Sequence, residues 1–181
     1  MKIFDVSIEG IRPLLMHRFP EEVANEKIQK RTGAHDDSKE AEISLYRHSD
    51  GTIYQPAEHI EGAIKQAAKD FRITGKRSRS YSVLVQAQVE VEPRAIPHKN
   101  QKWVTDARSV VLSATRGRIM RYRPRFDIWA LDFKLVVNDD QIPVEVLKGI
   151  LEHAGNHEGI GDYRPKYGRF IVTRFVELKS D

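Results

Sequence analysis

The sequence predicts an α+β domain in the order strand, helix, strand, strand, helix, strand. Three observations predict it: alternating apolar residues near both ends of the chain, two helical stripes each opened by a proline, and two strand-like runs between those stripes.

Phe4, Val6 and Ile8 alternate with Asp5, Ser7 and Glu9, giving a first strand with one buried face that ends near Gly10. Residues 11–54 form an irregular insertion. It holds Leu14-Leu15-Met16-His17-Arg18-Phe19-Pro20, a polar stretch, and a short helix candidate with Asp37 and Glu40 as a capping pair, before a turn at Ser49-Asp50-Gly51. Pro56 opens the first long helix, in which Ile60, Ala63, Ile64, Ala67 and Phe71 recur at steps of three and four. Val83, Val85, Ala87, Val89 and Val91 alternate strictly and read as the second strand. Phe126 to Val137 reads as the third, with Trp129, Leu131, Phe133 and Leu135 on one face. A second insertion, about 92–125, separates these two strands. Pro143 starts a second helix carrying Val144, Leu147, Ile150, Leu151 and Ala154, which Gly155 is placed to stop. A glycine-rich loop and a last strand, Phe170 to Val176, follow. This is the split βαβ order of a ferredoxin-like (RRM-like) domain, βαββαβ, with one four-stranded antiparallel sheet backed by two helices.

Length and composition bound the rest. Residues 1–181 have room for one well-buried core and are read as a single domain. No apolar run approaches the roughly 20 residues needed to cross a bilayer, and the start carries no signal-peptide core, so a cytoplasmic protein without a membrane partner is expected. With no cysteine, disulfides, thiolate metal sites and thiol nucleophiles are excluded together.

Charge is distributed unevenly. Residues 72–125 hold thirteen cations against Glu90, Glu92 and Asp106, about +10 in a chain of net charge +4, and ten of the thirteen are arginines. The planar guanidinium suits phosphate oxygens and base stacking, so the asymmetry predicts an anionic partner. The loop Gly159 to Phe170 points the same way. Glycines at 159, 161 and 168 permit close or left-handed backbone, Arg164, Lys166 and Arg169 reach phosphates, and Tyr163 and Tyr167 stack on bases. The loop is not a Walker motif, because no Gly-Lys-Ser/Thr ends it and a strand rather than a helix follows.

Two motifs and one insertion carry a family resemblance. Ile53-Tyr54-Gln55-Pro56-Ala57-Glu58-His59-Ile60-Glu61-Gly62-Ala63-Ile64-Lys65 is similar to a strand end, proline and Gly-Ala-containing helix; the loop at 159–170 is similar to a C-terminal glycine-rich loop; and the insertion at 92–125 lies where a thumb hairpin protrudes. On these residues the chain resembles the RAMP superfamily (repeat-associated mysterious proteins), and within it the backbone subunits of CRISPR effector complexes. The resemblance implies binding of single-stranded nucleic acid, usually guide RNA, along its backbone, with copies of the subunit stacked into a helical filament beside other effector subunits. It implies no cofactor and no metal. Carried over, Gly159, Gly161, Arg164, Lys166, Tyr167 and Arg169 contact the strand. Arg116 and Arg118, then Arg121, Arg123 and Arg125, make a cationic rail on the thumb, each group on one face if extended. The family commonly has Gly-Ser-Ser where this chain has Ala57-Glu58-His59. RNA and DNA stay open as ligands, as do a solitary virus- or mobile-element-borne relative, an endoribonuclease, and a mimic that inhibits an effector complex.

Single residues have two readings each. His17 and Arg18 contact the backbone, with His17 as the candidate general base if the chain cleaves RNA; otherwise no catalytic residue is expected. Asp36 and Asp37 are a helix cap or solvated loop before they are acids for cleavage. His153 and His157 lie one turn apart without a third ligand, which does not make a metal site. Lys76, Arg77 and Arg79 form a basic run over the groove or a solvated turn, and Trp103 stacks on a base or anchors the second insertion.

Overall fold

The computed structural model describes residues 1–19, 37–76, 78–111 and 116–178. Arg77 and Asp36 lie outside them. At its centre is a four-stranded antiparallel sheet. Strand β1 (Lys2–Gly10) runs between β8 (Ala130–Val137) and β9 (Phe170–Leu178), and β4 (Val89–Glu92) pairs with the far side of β8, in the order β4-β8-β1-β9. Val6 stands opposite both Phe133 and Phe175, so the apolar half of each alternating strand falls on one face. Phe4, Val6, Ile8, Val89, Val91, Leu131, Phe133 and Leu135 form that face and are buried.

Two helices cover it. Helix α2 (Ala57–Ala67) buries Ala57, Ile60, Ala63, Ile64 and Ala67, and its alanines let the backbone approach the sheet closely. Helix α4 (Val144–His153) buries Leu147, Ile150 and Leu151. Prolines occupy the N-cap position of both, where a missing N–H costs no helical hydrogen bond. The result is an α+β domain compatible with a ferredoxin-like fold. No helix among the described residues is long and apolar enough to cross a membrane.

Three expectations are corrected. The run Phe126 to Val137 is not one strand: Phe126 ends a strand of a second sheet, Arg118–Phe126, and β8 begins only at Ala130. The alternation at 83–91 is a strand only from Val89 onward, because Ser82–Gln88 forms helix α3. Burial there falls on Tyr81, Val85 and Val89, a step of four, and Val83 is exposed, so packing against α2 overrides the period of two. The Ser82 hydroxyl also donates to the Lys65 carbonyl at 3.1 Å, fixing the start of α3 to the end of α2. Gly155 does not stop the second helix. The chain continues through a π-helical turn, Ala154–Glu158, and a Cβ at Gly155 would lie 2.3 Å from the Phe170 carbonyl oxygen, so this glycine serves close packing of the turn on β9.

The insertions build a second layer at one end of the sheet. Strand β2 (Leu14–Leu15) pairs with β7 (Arg118–Phe126), which pairs along its length with β6 (Val104–Val111); a small helix α1 (Asp37–Ile43) packs on β7. Strand β3 (Tyr54–Pro56) pairs with β5 (Ala95–Pro97) and leads into α2.

Candidate nucleic-acid interface

The glycine-rich loop is positioned from both ends. The π turn delivers it through Gly159, whose N–H donates to the Ala154 carbonyl at 2.8 Å, and β9 leaves from it at Phe170. In between it folds onto residues 11–15: the Asp162 N–H donates to Leu15 and the Gly168 N–H to Pro13, while Ile11 and Arg12 donate to the Arg169 carbonyl. Gly161 and Gly168 are required here. Both have positive φ, and a Cβ would lie 2.5 Å from the Leu15 oxygen at Gly161 and 1.7 Å from the Ile160 oxygen at Gly168. The glycines thus close the loop against β2, and the amides of Gly159, Asp162 and Gly168 are spent on protein carbonyls.

The hairpin β6–β7 meets this loop at a cluster of ion pairs. Asp106, 5% exposed, accepts from Arg108 at 2.5 and 3.1 Å and from Arg125 at 3.2 Å; Arg125 also bonds Asp127 at 2.8 Å. Burial pushes the Asp106 carboxyl up, but the hydrogen bonds and charges of Arg108 and Arg125 outweigh it and hold the group below the usual carboxylate range. Arg123, 7% exposed, sits 2.7 Å from Asp162 of the loop, an ion pair by distance whose atoms are not aligned as a hydrogen bond. Arg121 bonds Glu40 of α1 at 3.0 Å. Arg108 also donates to the Tyr167 hydroxyl and lies 4.8 Å from that ring's centre, and Arg123 lies 5.3 Å from the centre of Tyr163.

Arg121, Arg123 and Arg125 share one face of β7, as the rail expectation has it; Arg123 is buried, the other two are half-buried, and each guanidinium has a carboxylate partner. Tyr163 and Tyr167 carry arginines on their rings. His17 joins the cluster, its Nδ1 3.6 Å from Asp162. Burial first, then the Arg123 charge, lowers its pKa, so the imidazole is neutral at pH 7.

Other predicted residues are exposed. Arg164 and Lys166 stand at the loop tip, Arg18 beside α1, Arg116 and Arg118 toward the hairpin end, and Lys76 and Arg79 on the turn after α2. Arg169 is half-buried, reaching the Asn156 carbonyl at 3.4 Å, and lines an open cleft with Arg12, Asn156, His157, Pro165 and Lys166. Trp103 is half-buried and packs against the core, as an anchor would. His153 and His157 stack at 4.4 Å, and His153 contacts Asp70 at 3.1 Å. Among the described residues no group of three His, Asp or Glu is placed to hold a metal.

The sequence reading missed the counter-ions. Asp106 and Asp162 were visible only as charges, and nothing local in sequence joins Asp162 to Arg123 or Glu40 to Arg121. Arg12 was also missed, its place in the cleft being set by the backbone bonds to Arg169. On the sheet face away from the helices, Asp5, Glu90, Glu92 and Asp132 stand with Lys134 and Arg174 and without an aromatic ring. An acidic, ring-free sheet is a poor platform for a nucleic acid, which leaves the loop and hairpin end as the basic candidate surface.

Comparison with known proteins agrees with this architecture. No protein-family model matches the sequence, and no curated protein is similar to it in sequence. In structure, the chain is similar to one in the cryo-EM structure of the Type III-B Cmr-beta bound to cognate target RNA, with a TM-score of 0.59 at 14% identity, covering 98% of this chain and 61% of that one. A crystal structure of a CRISPR protein from Archaeoglobus fulgidus is similar at a TM-score of 0.43 and 12% identity, covering 99% of this chain and 65% of that one. The chain therefore spans less than two thirds of the length of either. The chain shares its fold with that Cmr-beta chain.

Proposed function

We propose that this protein is a RAMP-type subunit of a CRISPR effector assembly that binds single-stranded RNA, most plainly guide RNA, along its sugar-phosphate backbone and without catalysis. The observation that carries the reading is the meeting of loop 159–169 with the β6–β7 hairpin in one layer, with Arg164, Lys166, Arg116 and Arg118 exposed around it. In this reading the hairpin is the thumb of a βαββαβ domain and reaches a neighbouring copy in a filament. The fold shared with a chain from an RNA-bound complex supports it. The test is anisotropy with a fluorescent single-stranded RNA across a salt series. Binding at low salt that falls log-linearly with salt is expected; no binding at any salt overturns the reading.

One observation favours a second reading, endoribonuclease activity. His17 is neutral at pH 7 and its side chain 38% exposed, a state that can accept a proton from a 2′-hydroxyl. RNA left intact by the wild-type protein removes it; cleavage abolished in His17→Ala establishes it over the first.

A further inference from the structure

A cluster of rings lies outside the surface described above. The turn at residues 46–54 is closed by backbone bonds from His48 to the Thr52 carbonyl (2.9 Å) and from Tyr54 to the Tyr46 carbonyl (3.0 Å), and by Asp50 accepting from the Thr52 N–H at 2.8 Å. This holds His48 over Tyr54, ring centres 4.4 Å apart and planes 31° from parallel. Tyr46 meets Tyr54 at 5.9 Å and the His59 ring edge-on at 5.5 Å. His59 is fixed by Gln55, a fully buried side chain on β3. His48 is exposed and the other three rings are half-buried. Two exposed cations assigned to the strand on other grounds act electrostatically on the cluster, Arg18 on Tyr46 and Arg164 on His59.

We propose that His48 and Tyr54 form a stacking shelf for one unpaired nucleobase of a bound single strand, with Arg18 and Arg164 meeting the flanking phosphates. The rings overlap at a tilt of 31°, outermost at His48 and seated on a closed turn, so a base laid on His48 adds to an existing ring pair with little loss of side-chain freedom. A turn that served only the core would have no need of an exposed imidazole over its tyrosine. Arg164 belongs to the glycine-rich loop and Arg18 to the His17 segment, so one strand passing the shelf can meet both. Stacking accepts any base, in keeping with binding that ignores sequence.

The inference rests on the single-strand reading above, and the experiment separates the two. Affinities are measured for an RNA oligonucleotide and for an abasic strand of equal length; 2-aminopurine placed along the RNA reports stacking by quenching. The expected result is quenching at one recurring position in the wild type. His48→Ala should lose that quenching and about tenfold in affinity for the base-bearing strand, with unchanged affinity for the abasic strand and an unchanged salt slope. His48→Trp, which keeps a ring, and Tyr54→Phe should retain both. Equal affinity of wild type and His48→Ala for the base-bearing strand overturns the shelf and leaves the single-strand reading standing. Failure of the wild type to bind either strand overturns both.

Discussion

The hairpin arginines and the loop-tip cations look alike in sequence, as closely spaced positive residues beside aromatic ones, and they differ in the fold. Arg108, Arg121, Arg123 and Arg125 face Asp106, Glu40, Asp162 and Asp127 and hold three segments together. Arg164 and Lys166 project from a loop whose own backbone is closed by bonds to β2, and neither has a carboxylate partner among the described residues. The first group is a paired, mostly half-buried cluster. The second is a surface available to a ligand. A guanidinium already held by a buried carboxylate adds little to a phosphate contact, because the pair must first be broken. The run that a sequence marks as most basic is therefore not where the binding charge is most available.

The comparison is tested hardest at Asp106. It is buried and satisfies two arginines at once, so Asp106→Asn keeps the shape but leaves Arg108 without a carboxylate and Arg125 with Asp127 alone. We expect about 3 kcal/mol of lost stability by urea unfolding, with affinity for single-stranded RNA no lower than wild type. A stable variant with weakened binding would show that the paired arginines are the interface and reverse the assignment.

Next in size is a pH effect from the packed side of the molecule. His98 is 3% exposed, its ring 4.8 Å from Phe126, and burial lowers its pKa to about 4 from 6.5. The unfolded chain binds a proton at His98 between these values and the folded chain does not, so stability present above pH 6.5 is lost as pH falls toward 4. About 2 to 3 kcal/mol should disappear over that window. His98→Phe should flatten the profile there; an unchanged slope in the variant would place the acid sensitivity elsewhere.

The same contrast explains what could be read from the sequence. Strands with one buried face and helices with one stripe were legible because period and burial agree, as at Phe4, Val6 and Ile8 or at Ile60, Ala63 and Ile64. The segment 82–88 was not, because Val83, Val85 and Ala87 satisfy a period of two while packing on α2 selects a period of four. The loop was legible as a close-packed glycine turn, but the partners of its Asp162 and Gly168 amides were not, since they are Leu15 and Pro13, far away in sequence. Charge was misread for a related reason. The excess of +10 at residues 72–125 is neutralised in part by Glu40, Glu58, Glu61, Asp127, Asp132 and Asp162, all outside that window, which fold back onto Arg121, Arg94, Arg125, Lys99 and Arg123. Summing charge over sequence counts cations that the fold has already paired.

The smallest expected effect is the most diagnostic. Arg164→Ala combined with Lys166→Ala removes two exposed charges that hold nothing together, so stability should change by less than about 0.5 kcal/mol. If these side chains meet the strand, affinity for single-stranded RNA at moderate salt should fall about tenfold. The slope of log affinity against log salt should fall by about 1.4, at roughly 0.7 for each lost phosphate contact. The slope matters more than the affinity. A mutation that loosens the loop weakens binding without changing how many counter-ions are released, whereas loss of two direct contacts must lower that number. Equal slopes for variant and wild type would move the strand away from the loop tip, toward Arg116 and Arg118 at the hairpin end, and the contrast drawn here would then lie within the hairpin rather than between hairpin and loop.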